Sequence, residues 1–412
     1  MNFVLLRLRA LTCVECIVGA GLVTAPVAAA AQQTITREAA IAAALSRGGS
    51  IAVARTVAAA ARAQVRAASA YPNPAFTTSY SKDTPQYHAL LDVPVDLPWL
   101  RGARIGAAQA ADTSAAYTFA FARAAIRFDA DTAYTQALAA AAHARLSSRN
   151  AADADSLLHM AMTRRDAGDA SELDVQLATV NAGQLENVSM ADALAASSAL
   201  LTVQRVMGLP TDSITIALGD SLTLPAAIDS TLAGERPTLQ VAAASAALRS
   251  AEETLAFERR NVWAAPAVQV GFDAHDPTVP QAGLLPTVGI SLPLPLFNRN
   301  SGPVAVASAE RDRAQAELAL ARQESRATIT QALRERAVAL LKAQRDQRLV
   351  ASAQRVATMS LEAYREGAIA LSGVLEAERN ARDVLAQYID DVAAANRSNE
   401  SVRLFTLTST AP

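Results

Sequence analysis

The sequence predicts a mainly α chain with a membrane β part, built from duplicated helix–β-hairpin–helix units. Three observations predict it. Apolar and polar residues alternate in "YHALLDVPVDLP" (Tyr87 to Pro98) and "VGISLPLPL" (Val288 to Leu296), the period of a strand with one greasy face. Two stretches, about 103–165 and about 304–364, are helical in character and far longer than the ~11–12 residues of an average helix. The order of elements in the first half then recurs in the second.

Composition agrees with long helices in lateral contact. Of 412 residues, 51% are hydrophobic but only 4% aromatic, and Ala supplies much of the apolar content. Ala lets helices approach closely but fills a globular core poorly. A net charge of −2 with no basic block gives nothing to neutralise phosphates, so no nucleic acid is expected as a partner.

Residues 1–31 read as a secretory signal peptide. Arg7 and Arg9 form a basic region, Leu11 to Val23 is mostly apolar though Glu15 interrupts it, and Val27 to Ala31 offers a small-residue cleavage site before Gln32. The C-x-x-C of Cys13 and Cys16 falls inside this segment, so the mature chain is expected to lack cysteine. No later stretch reaches the ~20 apolar residues of a spanning helix.

The first repeat is placed at 32–235. A helix over Ile35 to Ala70 ends at "YPNPAF", where two prolines force an extended turn. A β-hairpin follows at about 75–98, with Phe76 and Tyr80 as the large members of its first strand. The long helix at about 103–165 would span ~90 Å. It breaks at "RRDAGDAS", where Gly168 stops one helix and Asp169 or Ser171 caps the next. A return helix at about 172–207 leads into a linker with one short strand, Ile214 to Leu218.

The second repeat, 236–412, opens with a helix over Thr238 to Val262. A hairpin at about 267–296 follows, with Val268, Val270 and Phe272 alternating against Gln269, Gly271 and Asp273. The long helix at about 304–364 breaks at "YREGAIALSG", and a return helix runs at about 373–404. A shift of 199 positions sets Gly168 on Gly367, Val175 on Val374 and Ala178 on Ala377.

Four strands cannot close a barrel, and open edges cannot sit in lipid, where each unpaired backbone group costs several kcal/mol. Strands of this type in an exported chain therefore imply a barrel shared by several copies. Three copies give twelve strands, an even number in the outer-membrane range, and their helices would form a tube continuing it. The greasy side would face lipid, and Thr287, Gly289 and Ser291 would face the lumen.

Catalytic chemistry finds no constellation. His88, His143, His159 and His275 are scattered, with no H-E-x-x-H, and no Gly-rich phosphate loop occurs. His159, Met160 and Met162 are close in sequence but do not share a helix face. No enzyme activity, metal or cofactor is expected.

Taken together, "YPNP" before the first hairpin, "PLPLFNRNSG" leaving the second and glycine turns ending both long helices resemble the TolC-like outer-membrane factors, the exit ducts of bacterial tripartite efflux pumps and type I secretion systems. The likeness covers essentially the whole mature chain. It implies a homotrimer, a twelve-stranded barrel in the outer membrane and a long periplasmic α-barrel. It also implies a periplasmic adaptor and an inner-membrane transporter, of RND type, as partners. Gly168 and Gly367 would sit at the periplasmic tip, Tyr364 matches a gate tyrosine of the family, and Asp174 matches a tip aspartate. Ile369 stands where the gate arginine would be, and Gly373 replaces one aperture aspartate while Glu376 keeps the charge at the other. Asp174 and Glu376 are thus candidates for threefold acidic rings that favour cations, against the plain alternative of first-turn residues favoured by the helix dipole. Chain length and compact loops resemble the CzcC-like heavy-metal cation-efflux branch, so metal cations or drugs are the implied cargo. A rival reading is a soluble periplasmic coiled-coil scaffold or adaptor, which requires the alternating strands to be buried in a small β domain.

Overall fold

The computed structural model describes residues 32–226, 236–262, 266–276, 283–292 and 294–408. The segment expected to be a signal peptide, with Cys13 and Cys16, lies outside them. The chain opens with β1 (Gln33–Ile35), then α1 (Arg37–Arg47) and α2 (Gly49–Ser69). The single helix expected from Ile35 to Ala70 is thus preceded by a strand and broken at Gly48. The break needs a glycine: a Cβ at Gly48 would lie 2.5 Å from the Ala44 carbonyl oxygen and 3.1 Å from that of Val206.

Two strands follow, β2 (Ala75–Tyr80) and β3 (Tyr87–Pro94), and then α3 (Pro98–Asp166), 69 residues long. Helix α3 starts about five residues earlier than the pattern suggests. Pro98 stands at its first position, where a fixed φ and a missing N–H cost nothing. The return helix is α4 (Glu172–Met207), closed by Gly208 at φ 74°. The short strand β4 (Ile216–Leu218) runs parallel to β1, a pairing of distant residues with no local signature.

The second half contains α5 (Leu239–Arg260), β5 (Ala267–Ala274), β6 (Leu285–Ser291), α6 (Ser301–Arg365) and α7 (Leu371–Thr406). The last strand was expected to continue to Leu296 but ends at Ser291. Pro293 and Pro295 have no N–H to give a ladder, and Leu296 N–H turns back to the Leu294 carbonyl at 2.9 Å. The four strands, of 6, 8, 8 and 7 residues, approach but do not reach the ~9–11 residues of a membrane-spanning strand.

The two hairpins form one antiparallel sheet in the order β2-β3-β5-β6, so β2 and β6 are its open edges. The helices run as a layer. On the side near the sheet α3 packs between α2 and α5, and α5 reaches α6; towards the glycine turns α3 packs between α4 and α7, and α7 reaches α6. Helix α6 is thus one edge, and α2 and α4 form the other. The β1–β4 ladder sits midway, where Ile35, Tyr134, Leu138, Val203, Met207 and Ile216 pack together. The Tyr134 hydroxyl donates to the Ile35 carbonyl at 2.8 Å and to Asp220 at 2.9 Å. Burial, helped by Asp220, pushes its pKa up to about 12.

Candidate functional site

Two regions carry what the sequence singled out. The first is the sheet. Strand pairing aligns Phe76, Leu91, Val270 and Val288 in one row across all four strands, and Val93, Val268 and Ile290 in another. Side chains directly opposite in a sheet share a face, so these rows make one apolar surface. It is uncovered: Val288 and Ile290 are each 77% exposed. At the hairpin ends Tyr80 and Tyr87 pack at a tilt with ring centroids 5.3 Å apart, and His275 meets Tyr87 edge-on at 6.3 Å.

The opposite face is polar. His88 Nδ1 lies 2.8 Å from Asp273, which also accepts from the Thr287 hydroxyl at 2.9 Å. Thr287, Gly289 and Ser291 lie on this face with Asp273 and Gln269, because alternation fixes the side of every residue once one is fixed. Gly271 is required here, since a Cβ would stand 2.3 Å from the Ala89 carbonyl oxygen.

The second region is the far end of the helices. Gly168 (φ 83°) and Gly367 (φ 77°) end α3 and α6 with the same motif. Gly168 N–H donates to the Arg165 carbonyl and Asp169 N–H to that of Arg164, both at 2.8 Å; Gly367 donates to Tyr364 at 3.0 Å and Ala368 to Ala363 at 2.8 Å. These are paired Schellman bonds, which need a left-handed residue at the glycine position.

Tyr364 is not presented to solvent. It is 4% exposed and packs with Leu157, Ala161, Val175, Leu371 and Val374, joining both helical hairpins. Its hydroxyl is buried with no hydrogen-bond partner among the described residues. Arg164, from the other repeat, lays its guanidinium 4.7 Å from the Tyr364 ring centroid and donates to the Tyr364 carbonyl. Burial raises the phenol's pKa; Arg164 opposes that shift and Asp174 adds to it. A guanidinium is therefore present beside the tyrosine, although Ile369 occupies the position where the resemblance puts the arginine; Ile369 packs against the same apolar cluster. Sequence reasoning passed over Arg164. Its signal was weak, a basic residue in the last turn of a helix, which is common there for electrostatic reasons alone.

Asp174 closes a capping box. It accepts from Ser171 N–H at 3.0 Å and from the Ser171 hydroxyl at 2.9 Å, while its own N–H donates to Ser171 Oγ at 3.2 Å. Glu376 is exposed on α7 and accepts from the Asn380 amide at 3.3 Å. It lines a groove with Leu177, Asn181 and Arg379. Tyr364, Gly367 and Asp174 come together at one end of the helices, whereas Glu376 stands apart from the apolar cluster and is exposed. Among the described residues no cluster of three or more His, Cys, Asp or Glu could hold a metal ion, and no helix is long and apolar enough to cross a membrane.

No protein-family model matches the sequence, and no curated protein matches it. Solved structures do match. The chain is similar to the CmeC outer membrane channel of Campylobacter jejuni, with a TM-score of 0.80 at 15% identity, over 91% of this chain and 87% of that one. It is similar to the outer membrane protein VceC of Vibrio cholerae, with a TM-score of 0.77 at 15% identity, over 90% and 96%. CusC, described with transmembrane channel formation, gives a TM-score of 0.73 at 16% identity, over 90% and 92%. The chain therefore has the fold of these outer-membrane channels along nearly its whole described length.

Proposed function

We propose that the chain is one subunit of the outer-membrane exit channel of a tripartite efflux system. It is a passive duct, not an enzyme, for substrates delivered by an inner-membrane transporter through a periplasmic adaptor. One observation carries this reading: a four-stranded sheet with an uncovered apolar face, a polar face behind it and two unpaired outer strands. The fold shared with outer-membrane channels supports it.

Unpaired edges in lipid cost several kcal/mol per backbone group, so β6 of one copy takes β2 of the next. The helical layer supports the same sense of assembly. Its α6 edge exposes Val306, Leu320, Val338, Leu341 and Met359, while the opposite edge exposes Val53 and Val57 on α2 and Leu173, Val180 and Leu194 on α4. Unlike edges meeting head to tail close a ring when the rotation closes. Three copies give a twelve-stranded barrel in the outer membrane and a periplasmic α-barrel beneath it.

The periplasmic tip, around Gly168 and Gly367, is the constriction and the adaptor contact in this reading. Tyr364 acts there as a buried pivot between the hairpins. Asp174 and Glu376 form threefold acidic rings, Asp174 serving also as a helix cap. An RND-type transporter selects the cargo, metal cations or drugs, as in the CzcC-like branch. The soluble-scaffold reading requires a buried sheet, and the 77% exposure of Val288 and Ile290 argues against it.

Reconstitution into planar bilayers tests the duct. Stepwise cation-favouring conductance is expected, with selectivity lowered in Glu376→Gln. A protein that inserts but never conducts contradicts the proposal, and unchanged selectivity in Glu376→Gln removes the ring.

A further inference from the structure

At the start of α5 the chain forms a pocket of about 490 Å³ between Arg236, Arg322 and Arg326 of α6, and the end of α7. No carboxylate lines it among the described residues, and none of the three guanidiniums has an ion pair there. All three are exposed, so water screens their mutual repulsion, and an anion bound among them would relieve what remains.

The first half of the chain shows what is missing. The 199-residue shift that sets Gly168 on Gly367 also sets Arg123 on Arg322, Arg127 on Arg326 and Asp131 on Thr330. In the first half, Arg37 at the start of α1 donates to Asp131 at 2.5 Å and to Thr135 at 3.0 Å, and its backbone N–H donates to Asp220 at 2.7 Å. Guanidinium and helix start are both met by carboxylates. In the second half the position of Asp131 holds Thr330, and among the described residues no acid lines the pocket beside Arg236.

Hydrogen-bond donors remain free around the same space. Thr238 precedes α5 but makes no capping bond; its hydroxyl is 3.0 Å from that of Ser325, itself 8% exposed. Whichever of the two accepts keeps a proton to donate. Leu239 N–H is taken by the Leu407 carbonyl at 3.2 Å, which leaves the next first-turn amides, including that of the lining Val241, without a side-chain cap. Thr330 and Thr406 are already spent on helix carbonyls at 2.9 and 2.7 Å.

We propose that this pocket binds a small oxyanion of the phosphate class, which takes the place Asp131 fills in the first half and ties together α5, α6 and α7. Three guanidiniums, a free hydroxyl and first-turn amides are the donor set that such an anion accepts from. Ser325 lies 24 residues along α6 from Ser301, about 36 Å from the helix end nearest the sheet. Given the membrane reading above, that distance puts lipid headgroups out of reach and makes the anion a free one.

Calorimetric titration of the detergent-solubilised protein with inorganic phosphate, against chloride at matched ionic strength, tests this independently of conductance. Saturable binding is expected, weakened about tenfold by Arg326→Gln, the effect of losing one charge-assisted bond, and abolished when Arg236, Arg322 and Arg326 are all Gln. In phosphate-free buffer Arg326→Gln should melt no lower than wild type, which separates an anion site from a structural arginine. Absence of saturable phosphate binding overturns the proposal. Equal binding by the triple variant means an adventitious ion only and overturns it too. Binding seen only after Asp229→Asn with Glu235→Gln would show the chain's own carboxylates as occupants, again against it.

Discussion

Tyr364 and Arg164 define the tip at the scale of single residues. A buried hydroxyl with no partner is a cost, so Tyr364→Phe should leave thermal stability unchanged or raise it by up to about 1 kcal/mol. A loss of more than that would mean that the hydroxyl holds the tip by a hydrogen bond. Arg164→Ala removes a ring contact and a carbonyl bond between the repeats; about 1–2 kcal/mol should be lost, with higher open probability in bilayers. Glu378 adds a pH effect. Burial raises its carboxyl pKa, Arg382 opposes and Asp153 adds. A carboxyl raised in the folded state binds its proton more tightly there, so its contribution to stability is fullest at acid pH and is lost as pH rises through the ordinary glutamate range into its raised one. Glu378→Gln should therefore flatten the melting-temperature profile over that window; an unchanged profile contradicts the assignment. Such residue-level detail was only partly legible. Asp174 was read both as a pore charge and as a first-turn helix residue, and its bonds to Ser171 fit the second role. Arg164 was missed because its partner is 200 residues away, and nothing local announces a contact of that kind.

At the scale of elements, the glycine turns and the alternating strands were readable because each rests on a local rule. A left-handed stop favours glycine, and a strand with one apolar face repeats every second residue. Gly168→Ala meets no clash, as nothing lies within 4 Å of its would-be Cβ; its cost is conformational, about 1 kcal/mol, from the positive φ. Elements set by distant contacts were harder to read. The short strand expected at Ile214 to Leu218 is present as β4, but its partner β1 and the break at Gly48, where the backbone meets the end of α4, were not foreseen, because the pattern along residues 35–70 is helical throughout. Strand length was overestimated at β6, where alternation continues past Ser291 but prolines remove the ladder donors. The apolar face yields a prediction of its own. Ile290→Lys should destabilise the lipid-inserted protein by about 2–4 kcal/mol if the residue sits near the bilayer midplane, whereas Ser291→Lys, on the polar face, should shift conductance. Equal effects at the two positions would contradict the assignment of faces.

For the whole molecule, two unlike edges run the full length: β2 with α2 and α4 on one side, β6 with α6 on the other. This geometry makes a single copy incomplete, with exposed apolar side chains on both helical edges and an unpaired strand at each side of the sheet. The proposed heterologous contact, repeated three times, would close all of them at once. The number three rests on the strand count together with the resemblance, whereas the direction of packing proposed above rests on which helices lie at the two edges of the layer. The signal-free chain has no cysteine, since Cys13 and Cys16 are the two in the sequence. Cysteines placed on β2 and β6 should therefore cross-link only between copies, giving dimers and closed trimers in denaturing gels; cross-linking within one copy would contradict the open sheet. The most direct test is the mass of the signal-cleaved protein by light scattering, with and without detergent. A detergent-dependent particle of three chains is predicted, and a monodisperse monomer soluble without detergent would contradict the shared barrel.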